Sequence, residues 1–101
     1  MYYKVHKSVG GTLIAVADKE LIGKTLKFKE TEFFINPRFY KDISITKKKL
    51  IPLLRAANSA NLVGKKAIEA AKEAKIISDE HVIQITKDVP HAVRTIKYKL
   101  N

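Results

Sequence analysis

The sequence predicts an α+β domain in which two central helices pack on one face of a mixed, largely antiparallel sheet. β-rich segments come in a run at the start of the chain and again at its end, and two helical stretches lie between them. Runs of strands separated from runs of helices are typical of the α+β class. A chain of 101 residues is one domain's worth of length and buries one modest core, so residues 1–101 are predicted to form a single compact domain.

The first part of the chain is predicted to form strands. Residues 2–9 (YYKVHKSV) alternate, and Gly10 with Gly11 is a hairpin signal. In the run TLIAVA, the residues that would point to either face of a strand are apolar, which indicates a central strand with both faces covered. Asp18 is expected to cap a short turn that Gly23 ends. The segments KTLKFK and EFFIN predict two further strands, and a proline at position 37 stops the second.

Two helices are predicted in the middle of the chain. Thr46 opens the first, whose apolar stripe repeats at i, i+3, i+4 and i+7, and Pro52 predicts a kink or a later start. After NSAN, a second helix is predicted to run to about Ile77, with small residues on one stripe. The first stripe consists of Leu50, Leu53, Leu54 and Ala57. Two last strands, VIQIT and AVRTIKYKL, are predicted to be joined by KDVPH as a loop.

The composition excludes several classes of protein. There is no cysteine, which excludes disulfides, thiol chemistry and cysteine-rich zinc sites. The three histidines stand at no metal-ligand spacing, so neither a metal nor a cofactor is expected. No run approaches the ~18 apolar residues of a membrane span, and the start lacks the apolar region of a signal peptide. We therefore expect a soluble, cytoplasmic protein.

The charge of the chain points to a polyanionic partner. Lys and Arg number 20 against 10 acidic residues, a net charge of +10. Residues 46–57 carry Lys47, Lys48, Lys49 and Arg55 and no acid, so the excess is concentrated at the first helix. Such a patch attracts nucleic acid. The alternative is a charge that only keeps the protein soluble, as on a thermophile surface.

The segment ANSANLVGKKA, residues 57–67, is predicted to contain a helix start. Asn61 is a good N-cap, Asn58 is suited to cap or end the preceding helix, and Gly64 is small enough for close packing. Capping alone is one explanation. The other is an anion, because Lys65 and Lys66 in the first turns oppose the helix dipole and an RNA phosphate at the helix start would reconcile both charges.

Two further segments offer phosphate contacts. The triplet in TKKKLIPLLRAA lies off the apolar stripe, where its lysines form either a solvated face or point charges that position a phosphate backbone. On the last strand, Lys97 and Lys99 share one face. They belong either to a basic strip that tracks RNA or to an edge strand protected from aggregation.

His91 directly follows a proline in VPHA, so it is predicted to lie on a rigid loop. A histidine there is a candidate general base or phosphate ligand, or an ordinary surface residue. Asp18, His6 and Asp88 are partners by residue type, but no matched nucleophile and base can be assigned. Catalysis is therefore not expected.

Four segments, KVHKS, AVADKELIGKTL, ANLVGKKAIEAA and VPHA, occur in this order and at spacings that resemble an archaeal family with no assigned function. The similarity covers nearly the whole chain, and NLVG and VPHA are its most specific pieces. The resemblance implies an archaeal cytoplasmic protein, a compact α+β domain and a loose association with translation. The matched polar positions are Asn61, Gly64 and His91. The family's first helix is more acidic than TKKKLIPLLRAA, so the basic patch is not among the features that the resemblance implies.

Together these observations predict a non-catalytic RNA-binding protein associated with translation, which docks on ribosomal RNA, and on the ribosome with its proteins, through phosphate contacts. The alternatives are a small enzyme or nucleotide-binding domain centred on His91 and the Asn61–Lys65 helix start, and a subunit that binds an acidic protein. The expected RNA-binding residues are Lys47, Lys48, Lys49, Arg55, Asn58, Asn61, Gly64, Lys65, Lys66, Lys97 and Lys99.

Overall fold

The computed structural model describes residues 1–96, which form a mixed α+β fold and confirm the predicted class. The strands are β1 (Tyr2–Ser8), β2 (Gly11–Ala17), β3 (Thr25–Phe28), β4 (Thr31–Phe34), β5 (Ile43–Ser44), β6 (Ser59–Val63), β7 (Ile83–Thr86) and β8 (Val89–Thr95). The helices are α1 (Pro37–Tyr40), α2 (Lys47–Ala56) and α3 (Lys65–Glu73). Two short 3-10 turns span Lys19–Leu21 and Asp79–His81.

Six of the strands form one sheet in the order β5-β1-β2-β6-β8-β7, and β3 pairs with β4 in a separate hairpin. The central pair, β2 with β6, is parallel, and the other pairs are antiparallel. A parallel pair requires a long crossover connection, and here α2 is part of it. The largely antiparallel sheet is therefore confirmed.

The sheet is covered on both faces by different elements. Helices α2 and α3 cover one face, which we call the helix side; the hairpin β3–β4 and α1 cover part of the other, the hairpin side. Side chains alternate along each strand, so neighbouring residues of β2 and β6 enter separate cores. Ile14, Val16, Leu50, Leu54, Leu62 and Ile68 belong to the helix-side core, while Ala15, Ala17, Ile35, Tyr40 and Val63 belong to the hairpin-side core.

Several sequence predictions hold at the level of single elements. Residues 2–8 and 11–17 pair as the predicted hairpin, and β2 is buried on both faces as its apolar run predicts. Helix α2 begins directly after Thr46, and Leu50, Leu54 and Ala57 of its stripe are buried. Leu53 is the exception, with 38% of its surface exposed.

The predicted helix start at Asn61 is wrong. Residues 59–63 form β6, which hydrogen-bonds to β2 on one side and to β8 on the other. Helix α3 therefore begins later, at Lys65, and ends at Glu73 rather than near Ile77. A central strand satisfies the backbone groups of this segment from both sides, which a local helical pattern in the sequence does not reveal.

The loop predicted for KDVPH is also shorter than expected. Val89, Pro90 and His91 belong to β8, so His91 lies on a strand between β6 and β7. Pro90 is tolerated because the register shifts between Gln84 and Thr86 on the neighbouring strand, and proline in a sheet is usual at such irregularities.

Among residues 1–96, none of the helices combines the length and the apolar character needed to span a bilayer.

Candidate nucleic-acid interface

The start of α3 is capped by a carboxylate from another part of the chain. Asp18 directly follows β2, and its N–H donates to the carbonyl oxygen of Val63 at 3.0 Å. The Asp18 carboxylate accepts hydrogen bonds from the backbone N–H of Lys66 at 3.0 Å and of Ala67 at 2.9 Å. Only 2% of Asp18 is exposed. A buried negative charge thus satisfies two of the otherwise unpaired N–H groups and complements the helix dipole.

This arrangement changes the explanation of ANSANLVGKKA. The anion at the helix start is Asp18, and the residue at the cap position is Gly64, whose φ is +109°. Asn61 is not the cap, and Asp18 makes no side-chain cap bond to the short turn that it was expected to cap. The amides of Lys66 and Ala67 are therefore occupied by a side chain of the protein itself.

Asn58 has a matching role at the other end of the parallel pair. Its side-chain oxygen accepts from the N–H of Thr12 at 2.8 Å, and its own N–H donates to the Thr12 carbonyl at 3.1 Å. A side chain at Gly11, whose φ is +124°, would overlap the Asn58 amide. Asn58 therefore ties the entry of β6 to the start of β2 and does not cap a helix.

Lys47 is engaged with acidic residues of the neighbouring helix. Its Nζ lies 2.8 Å from Oε1 of Glu69 and 2.7 Å from Oε2 of Glu73, both on α3. The hydrogen bonds with Glu69 and then Glu73 raise the pKa of the Lys47 ammonium, and the bond with Lys47 lowers the pKa of Glu69. Lys47 therefore pairs with both acids of α3, and its one positive charge offsets only one of their two negative charges.

The remaining candidate cations differ in how free they are. Lys48, Lys49 and Lys66 are exposed, and none of them forms an ion pair within residues 1–96. Lys65 is exposed but its Nζ lies 3.7 Å from Oδ1 of Asp88. Arg55 donates through Nε to the carbonyl oxygen of Ala74 at 3.2 Å. The predicted Lys97 and Lys99 contacts lie outside the described residues.

A second polar cluster lies on the hairpin side of the sheet. The Tyr40 hydroxyl donates to Oδ1 of Asn61 at 2.7 Å, and Nε2 of His91 lies 3.2 Å from the same oxygen. Helix α1 positions Tyr40, because Asn36 accepts from the N–H of Arg38 and Pro37 pre-sets the first helical turn. Burial raises the pKa of Tyr40 to about 12, so its phenol remains a donor at neutral pH.

An aromatic ring and apolar side chains surround this cluster. Phe33 of β4 meets the His91 ring edge-on, with centroids 4.8 Å apart and an angle of 70° between the planes. Asn61 pairs with Val93, and His91 pairs with both Val63 and Ile83, so these side chains share the hairpin side. The sequence grouped Asn61 with His91 only in the enzyme or nucleotide-binding alternative, and it missed Tyr40 and Phe33, since only the folded protein brings these side chains to the cluster.

The enzyme alternative required His91 to converge with the Asn61–Lys65 segment. Asn61 does contact His91, but Lys65 is exposed at the start of α3 and pairs with Asp88. A cleft of about 560 Å³ between α3 and β7 is lined by Pro90 and not by His91. The described structure therefore gives His91 an amide as its side-chain partner and supplies no matched nucleophile.

We expect the stability of the fold to fall as the pH drops below neutrality, because burial lowers the pKa of His91 below its usual value of 6.5. The unfolded chain then binds a proton that the folded His91 resists. The stability that the neutral His91 ring contributes to the folded state is complete above pH 6.5. It is lost as the pH falls from there towards the lower pKa that His91 has in the folded protein.

Urea denaturation of the wild type and of His91→Gln at pH 7.5 and pH 5.5 measures this effect. The wild type is expected to lose more stability than the variant over this range. A titration of the His91 ring followed by NMR gives the direct control, and a midpoint at or above 6.5 would contradict the expectation.

The fold and these contacts define a small α+β protein with exposed lysines on its helix side. Its hairpin side carries the polar cluster of Tyr40, which is buried, and Asn61 and His91, which are partly buried.

A family model described as "Protein of unknown function (DUF424)" matches residues 6–95, so the chain belongs to this family. The crystal structure of an uncharacterized conserved protein from Methanopyrus kandleri, an archaeon, is similar, with a TM-score of 0.86 and 20% identity. That similarity covers 99% of this chain and 94% of the other, and it shows a shared fold. No curated protein matches the chain.

Proposed function

We propose that the protein binds RNA without catalysing a reaction, through phosphate contacts made by Lys48, Lys49 and Lys66, which we call the basic patch. The observation that carries this proposal is that these three lysines form no ion pair with an acidic side chain within residues 1–96. Helix α2 contains no acid, and the two acids of α3, Glu69 and Glu73, are both engaged by Lys47. The patch lysines therefore stay available to an external anion.

The side chains in the patch suit phosphate more than base recognition. A lysine ammonium is a compact point charge on a flexible stem, and it positions a backbone without reading sequence. Lys66 lines a surface cleft together with Lys47, so the first turns of α2 and α3 lie side by side. Lys48 and Lys49 follow Lys47 on α2, and the proposal places the RNA strand across these two helix starts.

The choice of ribosomal RNA and the link to translation rest on the resemblance of the sequence to its archaeal family. A cytoplasmic location belongs to the same proposal. A pulldown from native lysate with and without RNase tests this finer part. Ribosomal RNA and ribosomal proteins that disappear from the eluate after RNase treatment would support it. A stoichiometric protein complex that survives RNase would instead favour an acidic protein as the partner.

We expect the triple variant Lys48→Gln, Lys49→Gln and Lys66→Gln to bind single-stranded RNA more weakly and with less salt dependence. Each phosphate contact on a single strand contributes about 0.7 to the slope of log affinity against log salt, so three lost contacts reduce that slope by roughly 2. Fluorescence anisotropy with a labelled RNA at several salt concentrations measures both quantities.

The matched control removes the same charge elsewhere on the protein. Lys7, Lys19 and Lys27 are exposed and lie outside the patch, so their replacement by Gln should change the slope less. Equal losses in the two triple variants would show that only net charge matters. RNA binding that is absent at low salt would overturn the proposed function.

A further inference from the structure

We propose that the hairpin side of the sheet carries a nucleobase site centred on Asn61, with Phe33, His91, Val93 and Ile83 around it. This inference rests on the proposed function, because it assigns a base contact to the RNA whose phosphates meet the basic patch. It names a second part of the RNA interface, on the other face of the sheet from α2 and α3.

The first argument is an available hydrogen-bond donor. Within residues 1–96, Oδ1 of Asn61 accepts from Tyr40 and contacts His91, whereas its amide nitrogen has no hydrogen-bond partner. No side-chain polar atom in the described part is both fully buried and unpaired. The Asn61 NH₂ group is therefore not fully buried, and its donors have no partner within the described residues.

The second argument is that this donor is held in one orientation. Tyr40 is only 3% exposed, and its hydroxyl bonds Oδ1 of Asn61 at 2.7 Å. The phenol and the His91 ring both face Oδ1, which places the amide nitrogen on the side away from them. A donor positioned in this way by neighbouring side chains is what a binding site requires.

The third argument is the character of the surrounding surface. Val93 is 61% exposed and Ile83 is 54% exposed, and both lie on the hairpin side beside His91. The rings of Phe33 and His91 meet next to them. Large apolar side chains exposed beside aromatic rings suit a flat, weakly polar ligand surface.

A nucleobase combines the features that this surface selects. It has a flat face that packs on aromatic and aliphatic side chains, and its edge carries acceptors for the Asn61 NH₂ group. The net charge of +10 favours a ligand that also carries phosphates. A base that is splayed out from a single strand fits these requirements, with little selection among the four bases because each has an acceptor edge.

The test compares two probes that carry the same phosphates. Hexauridylate has bases, and a hexamer of abasic sugar phosphates has none. Wild-type protein is expected to bind hexauridylate about tenfold more tightly than the abasic hexamer, because stacking and one hydrogen bond contribute only to the first. Equal affinity for the two probes would overturn the inference while leaving phosphate binding intact.

Two variants locate the preference. Asn61→Asp keeps the acceptor for Tyr40 and replaces the donor, while Gln84→Glu makes the same charge change at an exposed amide on the helix side of the sheet, where the lost donor bonds are to the Thr86 and Lys87 carbonyls. Only Asn61→Asp should abolish the preference for hexauridylate. If both acidic variants lower binding of the two probes equally, the site is not at Asn61.

Ile83→Ala with Val93→Ala tests the apolar surface without touching the hydrogen-bond network, so it serves even if Asn61→Asp fails to fold. Its matched control is Val5→Ala with Val9→Ala, which also removes exposed apolar groups. A several-fold loss of hexauridylate affinity in the first pair alone supports the site. Loss in the basic-patch variant without any loss in this pair would contradict the base site and still support the proposed function.

Discussion

Replacing Gly64 with alanine is expected to destabilise the fold by about 3 kcal/mol, through backbone strain and a steric overlap. The φ of Gly64 is +109°, which L side chains rarely adopt. A side chain there would also lie 2.6 Å from Cβ of Asp18 and would overlap its carboxyl group, which is buried and fixed by two hydrogen bonds. Urea denaturation at neutral pH measures the loss.

Gly23→Ala separates strain from overlap. Gly23 also has a positive φ, +83°, but a side chain there would meet nothing within 4 Å. The Gly23→Ala variant is expected to lose about 1 kcal/mol of unfolding free energy, because only backbone strain is added there. Equal losses at Gly23 and Gly64 would mean that the contact between Gly64 and Asp18 does not constrain the fold.

Replacing Asp18 with alanine is expected to destabilise the protein by about 3 kcal/mol, because two backbone N–H groups at the start of α3 lose a charged acceptor in a buried place. The groups are those of Lys66 and Ala67, and water reaches this position poorly, since Asp18 is 2% exposed. Thermal and urea denaturation measure the change, and circular dichroism reports any loss of helix.

Asp18→Asn and Asp88→Ala are the matched variants. Asparagine keeps one acceptor oxygen, so its loss should lie between those of the wild type and Asp18→Ala. Asp88 is exposed and pairs only loosely with Lys65, so its replacement should change stability little. A loss in Asp18→Ala no greater than that in Asp88→Ala would show that Asp18 does not hold the helix start.

Much of the fold was predictable because strong local patterns specified it. The alternation in residues 2–8, the glycines at the hairpin and the doubly apolar run of β2 determine the first two strands. The apolar stripe of α2 specifies the face that it buries. These signals are local, and the packing agrees with them.

The errors cluster where long-range contacts outweigh local signals. In SANLV, Asn61 precedes a lysine-rich helical pattern and therefore suggests a helix N-cap. Pairing with β2 and β8 instead makes this segment a central strand. In VPHA, proline suggests a loop, yet the neighbouring irregularity in β7 accommodates it within β8. Asp18 resembled a cap for the following turn, whereas it caps α3, far along the chain.

The sequence by itself determined the α+β class, the first hairpin, the excess of positive charge and its concentration in residues 46–57. These properties follow from composition and short periodicities, which need no knowledge of distant partners. The tertiary structure alone decided which lysines are engaged by acids, that Asp18 is the anion at the start of α3, and that Tyr40, Asn61 and His91 meet. Each of these contacts joins residues far apart in the chain. The parallel pairing of β2 with β6 brings Asp18 to the start of α3, and the antiparallel pairing of β6 with β8 brings Asn61 to His91.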